Sequence, residues 1–558
     1  MKNKIFIVIA VVFLASRFLG LGQIYHQDEY KWAMIVNPIF NLQSESNHPP
    51  LVGLLYHLTG EAFGYDHLRI LPFIFSLLGL ILAYLLVKKL YGKKAALITS
   101  SILLVSVYNF IASLQIDFDG ALLPFWGLLA VYAFYHLDFR HICDRKNYRW
   151  LVILCVSLVG GFLTKLSFFI IVAALATEYY LVYRPKIKDL LKLLVAFGGV
   201  VLAVALAVLA INAFYPGVQA TRFLLYVKNF SFLNFASRNW SQVMFLTIKS
   251  LVLASPLLLG GYFLINRQNW QKYRFWLIFL LYNVLFYLVV FDFSNRTIER
   301  YLMFLIVPGA IIGGSLVAEN LALEKIKNLW LKILGIGGSL FLLGVWILSL
   351  SYKILPLNPK SAYLAQMKNL DLKFLIPITG GSGPVGFYVS VLMVVVTFLV
   401  TLGALAVFRL TKKQNCRALL VLIFVIGGIF YNLLLDGEFL AGWLYGNVNQ
   451  LAKEALTYVV SSQNISKTVT YYDLGGYELK LSGKYQRRFY TDPKFTAKNQ
   501  DLLPQEKSYY LVVDFPQIDK QSFYWQYFRQ CAIVYFSQDR EVAAYVFDCR
   551  QEDKKVFE

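Results

Sequence analysis

Long apolar runs recur along this chain of 558 residues and constrain its fold more than any other feature. The runs at 5–22, 70–87 and 391–408 reach the roughly 18–20 residues that a helix needs to cross the hydrocarbon core of a bilayer. Hydrophobic residues make up 58% of the sequence and charged residues only 15%, too few to cover a water-facing surface. These features exclude a soluble enzyme, a disordered protein and a collagen-like fibre. We expect a multi-pass membrane protein.

Basic residues cluster in the short connections between the apolar runs. The chain carries 53 Lys and Arg against 32 Asp and Glu, a formal net charge of +21 that in a soluble protein would suggest nucleic-acid binding. In a membrane protein the positive-inside rule explains the same excess, so we expect membrane lipids and no nucleic acid as partners. The rule predicts a cytoplasmic N-terminus and an extracytoplasmic C-terminus in the cell membrane. Thirteen spans are predicted, at 4–22, 69–88, 95–115, 120–137, 150–164, 166–183, 190–212, 243–266, 274–291, 301–320, 329–351, 385–408 and 417–435.

The composition becomes polar and charged after residue 435, and this change predicts two domains. Residues 1–435 form an all-α polytopic membrane domain, with a first exterior loop at 23–68. Residues 436–558 form a small extracytoplasmic α/β domain. Its predicted elements are a helix near 447–460 and strands near 469–472, 509–515, 532–536 and 543–547.

Two further segments each leave two alternatives open. The exterior loop 213–241 mixes aromatic residues with Arg222, Lys228 and Arg238, which suits either an amphipathic interfacial helix or an ordinary aromatic-belt loop. Cys531 and Cys549 flank the last two predicted strands, so a hairpin would bring them face to face. They form a disulfide if the domain faces an oxidising exterior, and otherwise remain free thiols.

Two pairs of acidic residues lie at the ends of predicted spans. Asp28 and Glu29 follow the first span, and Asp117 and Asp119 lie in the short connection 116–119. Carboxylates this close to hydrocarbon are costly and tend to be functional. The structural alternatives are a solvated loop for the first pair and capping of the following helix for the second.

Basic residues lie at the same predicted ends. Lys165 follows a glycine pair at the turn that divides the apolar stretch 150–183, where it either binds an anion or simply reaches the interface. Arg69 begins the second span, and Arg296 and Arg300 precede the tenth. One topology places all of these charges at the exterior face. Arg and Lys can hold a phosphate there, and a carboxylate can take a proton from an attacking hydroxyl.

The order of these motifs resembles the N-terminal region of the GT-C glycosyltransferases. The resemblance is to the branch that contains protein O-mannosyltransferases, aminoarabinose transferases (ArnT) and RgtA-like enzymes. It is good over about residues 20–185, weak to about 310 and absent beyond. The motifs that carry it are Asp28-Glu29, His48-Pro49-Pro50-Leu51, Arg69-Ile70-Leu71-Pro72, Asp119-Gly120, Gly161-Phe162-Leu163-Thr164-Lys165, and Arg300-Tyr301 with Pro308.

The resemblance implies a glycosyltransferase that moves a hexose or pentose from a polyprenyl-phosphate-linked donor by an inverting single displacement. It implies Asp28 as the general base and Glu29 as a residue that shapes the site or assists. It establishes no cofactor and leaves room for a divalent cation at Asp119. The residues implied in donor or acceptor binding are Asp117, Asp119, His48, Arg69, Lys165, Arg300 and Tyr301.

The acceptor stays open, and so do two alternative functions, one of which is an inactive membrane scaffold whose exterior domain binds a partner. The acceptor is a lipid, a polysaccharide or a protein. His48 departs from the Glu-Lys-Pro that aminoarabinose transferases carry nearby, which weighs against that particular substrate. A polytopic transporter or lipid flippase is the other alternative, although transporters bind near the bilayer midplane and often show duplicated halves, whereas these acids lie at span ends.

Overall fold

The computed structural model describes residues 4–42, 48–141, 144–214, 240–290, 299–321, 352–357, 361–378, 386–411 and 413–550. These residues pack into two compact units. The first unit holds the described residues within 1–21, 32–331 and 402–425, and the second those within 22–31, 332–401 and 426–558. The predicted span 329–351, residues 215–239 of the predicted interfacial loop, and Arg296 lie outside the described residues. The domain boundary at residue 436 stays a prediction.

Apolar helices dominate the chain up to residue 321. They are α1 (Lys4–Phe18), α2 (Asp28–Val36), α3 (Pro50–Phe63), α4 (Ile70–Tyr91), α5 (Lys93–Val105), α6 (Val107–Leu114), α7 (Leu122–Phe134), α8 (Arg145–Thr164), α9 (Phe169–Tyr183), α10 (Ile187–Phe214), α11 (Trp240–Phe263), α12 (Arg274–Val284) and α13 (Ile306–Asn320). A π-helical stretch, Leu285–Val290, follows α12, and a 3₁₀ stretch, Glu299–Leu305, leads into α13.

Within the described ranges, seven helices are long and apolar enough to cross a membrane, or eight if the bent pair α5 and α6 counts as one span. The prediction of a helical multi-pass membrane protein with a small C-terminal α/β part is confirmed, while the number of thirteen spans stays a prediction. The first exterior loop contains two helices, α2 and α3. Pro50 is the first residue of α3, a position where the fixed φ of proline favours helix and its missing N–H costs nothing.

The predicted span 95–115 is broken by a 67° bend between α5 and α6. Arg17 of α1 provides hydrogen-bond donors for the carbonyls at the end of α5. Its guanidinium donates to the carbonyls of Leu103 at 3.4 Å and Leu104 at 2.7 Å. Ser106 starts α6 by accepting the N–H of Asn109. Both backbone ends at the bend therefore have partners, which allows a buried helix to break there.

The remaining described elements are helices and strands, and the strands form two sheets. The helices are α14 (Ser361–Lys368), α15 (Val391–Leu410), α16 (Gln414–Ala441), α17 (Val448–Ser461), α18 (Gly476–Leu481), α19 (Pro493–Glu506) and α20 (Phe523–Phe528). The strands are β1 (Lys353–Ile354), β2 (Phe374–Ile378), β3 (Phe387–Ser390), β4 (Thr468–Tyr471), β5 (Tyr485–Phe489), β6 (Tyr509–Val513), β7 (Ala532–Asp539) and β8 (Val542–Asp548). Strands β1, β2 and β3 form a small sheet in that order.

The second sheet has five strands in the order β5-β4-β6-β8-β7. Strand β4 runs parallel to β5 and β6, and β8 runs antiparallel to β6 and β7. The apolar face of α17 joins β6 and β8 in one core through Leu451, Ala455 and Val459. Cys531 and Cys549, just outside the β7–β8 hairpin, form a disulfide.

Candidate functional site

The acidic loop between α6 and α7 is folded tightly back onto α6. A Cβ at Gly120 would lie 2.8 Å from the carbonyl oxygen of Ala112, so only glycine allows this close approach. The N-cap of α7 is Ala121, and no side chain caps it. Asp119 therefore does not serve as the cap of α7, and the capping alternative for this residue is wrong.

Each aspartate of this loop is paired with a distant cation. Both carboxylate oxygens of Asp119 accept from the Lys165 ammonium, at 2.6 and 2.9 Å. Asp117 Oδ2 accepts from Arg300 Nη1 at 2.6 Å, and Arg300 Nε lies 3.9 Å from Asp119 Oδ2. The exposed side-chain fraction is 1% for Asp117, 4% for Asp119, 9% for Arg300 and 14% for Lys165. We call these four residues the buried ion cluster.

Aromatic side chains enclose the buried ion cluster. The Lys165 ammonium lies 4.8 Å from the ring centre of Tyr301 and 4.9 Å from that of Phe118, within range of cation–π attraction. The hydroxyl of Tyr56, on α3, donates to the backbone carbonyl of Asp117 at 2.8 Å. The sequence analysis had not assigned Phe118 or Tyr56 to the site. Phe118 could have been found from its place between the two aspartates, whereas no local pattern marks the role of Tyr56.

His48 joins the same site through its ring and its electrostatics. Its ring centre lies 4.7 Å from that of Phe118. Burial, together with the positive charges of Arg300 and Lys165, lowers the pKa of His48 to about 3. The imidazole is therefore neutral at physiological pH and can both donate and accept a hydrogen bond.

Burial and neighbouring charges change the pKa values of Asp117 and Lys165 in the buried ion cluster. Burial raises the pKa of the Asp117 carboxyl, and the attraction of Arg300 opposes that shift. For Lys165, burial favours the neutral amine, but the attraction of Asp119 outweighs it and the net effect raises the pKa. Lys165 thus remains an ammonium, a fixed positive charge inside the protein.

The donor set does not fit a divalent cation at Asp119. Both carboxylates of the cluster already face cations, and a metal ion would be repelled by Lys165 and Arg300. Over the described part of the chain, no group of three or more His, Cys, Asp or Glu side chains could hold a metal ion. We therefore assign no catalytic step to a metal.

A mostly apolar pocket adjoins the buried ion cluster. Asp119, Arg300 and Tyr301 line one part of it. Most of its wall is hydrocarbon or aromatic, contributed by α7, α9, α12 and α13, for example Leu128, Ile171, Phe279 and Val307. The pocket therefore places an apolar wall directly beside the cations of the buried ion cluster.

Arg69 holds the backbone at the end of α6, directly before the acidic loop. It is fully buried, and its Nε donates to the carbonyl of Leu114, the last residue of α6, at 2.9 Å. This contact fixes the end of α6 from which the acidic loop departs. Binding of donor or acceptor by Arg69 stays a prediction.

The other acidic pair, Asp28 and Glu29, begins α2 and belongs to the second unit. Gln27, directly before it, has a φ of 46°, a left-handed conformation that is uncommon for a residue with a side chain and is often found at functional turns. The buried Glu29 carboxylate accepts the N–H of His26 at 3.4 Å, which closes the turn. Asp28 is partly exposed and accepts from Lys31 at 2.6 Å. Glu29 thus shapes the turn and Asp28 is the accessible carboxylate.

Comparisons with known proteins extend the resemblance beyond single motifs. Residues 47–213 match a family model described as dolichyl-phosphate-mannose-protein mannosyltransferase. An uncharacterized protein from Aquifex aeolicus (strain VF5) is 26% identical over 207 residues, which cover 35% of this chain and 40% of that protein's length. The segment 47–213 that the family model matches includes Asp117, Asp119 and Lys165.

Solved structures show the same fold over nearly the whole chain. ArnT from Cupriavidus metallidurans in the apo state superposes with a TM-score of 0.53 at 15% identity, covering 98% of both chains. The same protein bound to undecaprenyl phosphate gives a TM-score of 0.55 at 16% identity, covering 99% of both chains. Together with the family-model match over 47–213, this shared fold confirms the resemblance to the branch that contains protein O-mannosyltransferases and ArnT.

Proposed function

We propose that this protein is a membrane glycosyltransferase that moves a sugar from a polyprenyl-phosphate-linked donor to a hydroxyl acceptor. The observation that carries the proposal is the buried ion cluster beside the mostly apolar pocket. Lys165 and Arg300 offer two fixed cations to a phosphate, and the pocket wall suits the prenyl chain. The fold shared with ArnT, solved with undecaprenyl phosphate, supports the same class of lipid here.

The proposed reaction is a single displacement at the anomeric carbon. The acceptor oxygen attacks C1 of the sugar from the side opposite the phosphate, and its proton passes to the Asp28 carboxylate. The bond between C1 and the phosphate oxygen breaks, and the leaving phosphate keeps the electron pair. One displacement inverts the configuration at C1.

The buried ion cluster acts where charge develops in this reaction. Lys165 and Arg300 stabilise the negative charge that grows on the leaving phosphate, in a site that is already oriented before the reaction. Asp119 and Asp117 position these two cations by direct ion pairs. Tyr301 and the neutral His48 complete the part of the site that binds the donor. Arg69 supports this part through its hydrogen bond to the carbonyl of Leu114.

The proposal includes the location and the range of substrates. Transfer takes place at the extracytoplasmic face of the cell membrane, and the domain predicted at 436–558 lies on the same side. The sugar is a hexose or a pentose, and the acceptor is a lipid, a polysaccharide or a protein. The shared fold with ArnT supports an enzyme over the transporter or flippase alternative.

Asp28→Asn tests the proposed base. We expect purified wild-type protein to consume at least one member of a panel of prenyl-phosphate sugars, measured by mass spectrometry of the lipid. Asp28→Asn keeps the size of the side chain but removes the proton acceptor, so its kcat falls by roughly 100-fold or more. The matched control is Asp66→Asn, the same change at an exposed turn between α3 and α4.

Two results would contradict the proposal. One is transfer by Asp28→Asn at the rate of Asp66→Asn, which removes Asp28 as the base. The other is movement of an intact prenyl-phosphate sugar across the bilayer of a vesicle without cleavage, which supports the flippase instead.

A further inference from the structure

We propose that Arg488, on the C-terminal sheet, is a positioning residue for Asp28 and acts through Tyr30. This inference rests on the proposed function, in which Asp28 is the base. It assigns a catalytic purpose to the C-terminal α/β part, which the reaction itself does not require. All of the contacts that carry it lie within the second unit.

The segment that carries Asp28 is held on both sides by the C-terminal part of the second unit. Before the acidic turn, the N–H of Ile24 donates to Asn449 Oδ1 at 2.9 Å, and the Tyr25 ring lies 5.3 Å from that of Tyr477. After the turn, Tyr30 Oη accepts from Arg488 Nη1 at 2.9 Å. The acidic turn is thus clamped at both ends.

The contact between Arg488 and Tyr30 belongs to a charged network. Arg488 also pairs with the buried carboxylate of Asp473, which in turn accepts from the Tyr490 hydroxyl at 3.1 Å. The ammonium of Lys480 lies 5.6 Å from the ring centre of the buried Tyr30. Hydrogen bonds from a charged donor are stronger than those between neutral groups, so this network fixes the Tyr30 ring.

Tyr30 transmits that restraint to the base over a short distance. It lies two residues after Asp28 in the first turn of α2, so a ring that is held in place restrains the backbone of that turn. Misplacement of a catalytic group by about 1 Å can cost 100-fold in rate. The Asp28 carboxylate is partly exposed and accepts from Lys31, whose side chain is itself 47% exposed. The backbone that Tyr30 holds sets the point from which the Asp28 side chain extends.

The neighbouring arginine on β5 provides a matched control. Arg487 is also ion-paired, with Glu506, and its side chain is 24% exposed against 29% for Arg488. Successive side chains of a strand point to opposite faces, so Arg487 faces away from Tyr30. Arg487→Gln and Arg488→Gln therefore each remove one ion pair from the same strand, and only the second changes a contact of Tyr30.

The experiment compares Tyr30→Phe, Arg488→Gln, the double variant and Arg487→Gln, using the prenyl-phosphate sugar that the wild-type protein consumes. We expect kcat to fall about tenfold in both single variants, with KM for the donor within twofold of wild type. The kcat of the double variant falls no further than that of either single variant, because both changes remove the contact between Arg488 and Tyr30. Hydrogen exchange of the amides in 24–36 rises in these variants and not in Arg487→Gln.

The outcomes separate this inference from the proposed function. If Asp28→Asn is inactive while Tyr30→Phe and Arg488→Gln keep the kcat of Arg487→Gln, the positioning role is overturned and the base assignment stands. A tenfold rise in KM with unchanged kcat also overturns it. If Asp28→Asn is active, the proposed function fails whatever the clamp variants show. Tyr30→Phe removes only one hydroxyl, so it remains informative if Arg488→Gln folds poorly.

Discussion

Lys165 and Asp119 show how a single residue pair defines the site. A lysine at the end of an apolar helix can extend its ammonium to water, and the sequence analysis kept that alternative. Here the side chain is 14% exposed, and both oxygens of a buried carboxylate hold it. Lys165 is therefore fixed inside the protein as half of a buried ion pair, and the interfacial alternative does not describe it.

Removal of Lys165 is expected to destabilise the protein. Lys165→Met leaves the buried Asp119 carboxylate without its main partner, a change that costs about 3–5 kcal/mol in such sites. Lys146→Met is the control, because Lys146 lies on α8, the helix that ends directly before Lys165, and its exposed pair with Asp144 is worth at most about 1 kcal/mol. Thermal unfolding in detergent measures the difference.

A second variant tests whether the loss comes from the unpaired charge. Lys165→Met with Asp119→Asn is expected to recover part of the lost stability, since no unpaired carboxylate remains. Equal melting temperatures for Lys165→Met and Lys146→Met would show that the pair contributes nothing to stability.

At the scale of elements, the sequence analysis did best where one face of an element is apolar. The helix near 447–460 and the strands near 469–472, 509–515, 532–536 and 543–547 correspond to α17, β4, β6, β7 and β8. Strand β5 was missed because it carries Gln486, Arg487 and Arg488 in a row and lies at the edge of the sheet. Such a sequence has no alternating apolar pattern, and only pairing with β4 makes it a strand.

The end of strand β6 makes the stability of the second unit depend on pH. Asp514 is buried directly after β6, and its Oδ1 accepts the N–H of Ile518 at 2.6 Å. Burial raises the pKa of Asp514 from the usual 3.8 to about 7, against the opposing effect of that hydrogen bond. The native state therefore binds the proton more tightly than the unfolded chain does. The stability from this group is complete below about pH 4 and is lost as the pH rises through 7.

Asp514→Asn is expected to remove this part of the pH dependence. Each pKa unit corresponds to about 1.4 kcal/mol. The melting temperature of the wild-type protein is therefore expected to fall between pH 5 and pH 8 relative to that of the variant. Asp501→Asn, at an exposed position on α19, is the control and keeps the wild-type profile. If the melting temperature of Asp514→Asn changed with pH in parallel with that of wild type, the ionisation of Asp514 would have no cost in stability.

At the scale of the whole molecule, charge distribution predicts the orientation. Positively charged connections mark the cytoplasmic side, so residues 138–149 face inward, whereas the first exterior loop and the C-terminal part face outward. This orientation places every charge of the proposed site on one side of the membrane, as the proposed reaction requires.

Single cysteines report this orientation directly. In a background in which Cys143, Cys155 and Cys416 are replaced by serine and the disulfide is kept, we introduce Asp66→Cys, Asp501→Cys or Lys146→Cys. A membrane-impermeant maleimide is expected to label the first two in intact cells, and the third only after permeabilisation. Labelling of Lys146→Cys in intact cells, with protection of the other two, would reverse the topology and place the reaction in the cytoplasm.

By itself the sequence determined the membrane class, the C-terminal α/β part and most of the charged residues of the site, because hydropathy and charge are local properties of a chain. Tertiary structure alone decided which charges meet. Asp119 pairs with Lys165 across 46 residues of sequence, and Asp117 pairs with Arg300 across 183. Arg488 reaches Tyr30 across 458 residues. Such partners are selected by the packing of helices and strands, since a buried charge is tolerated only where the fold supplies its counter-charge.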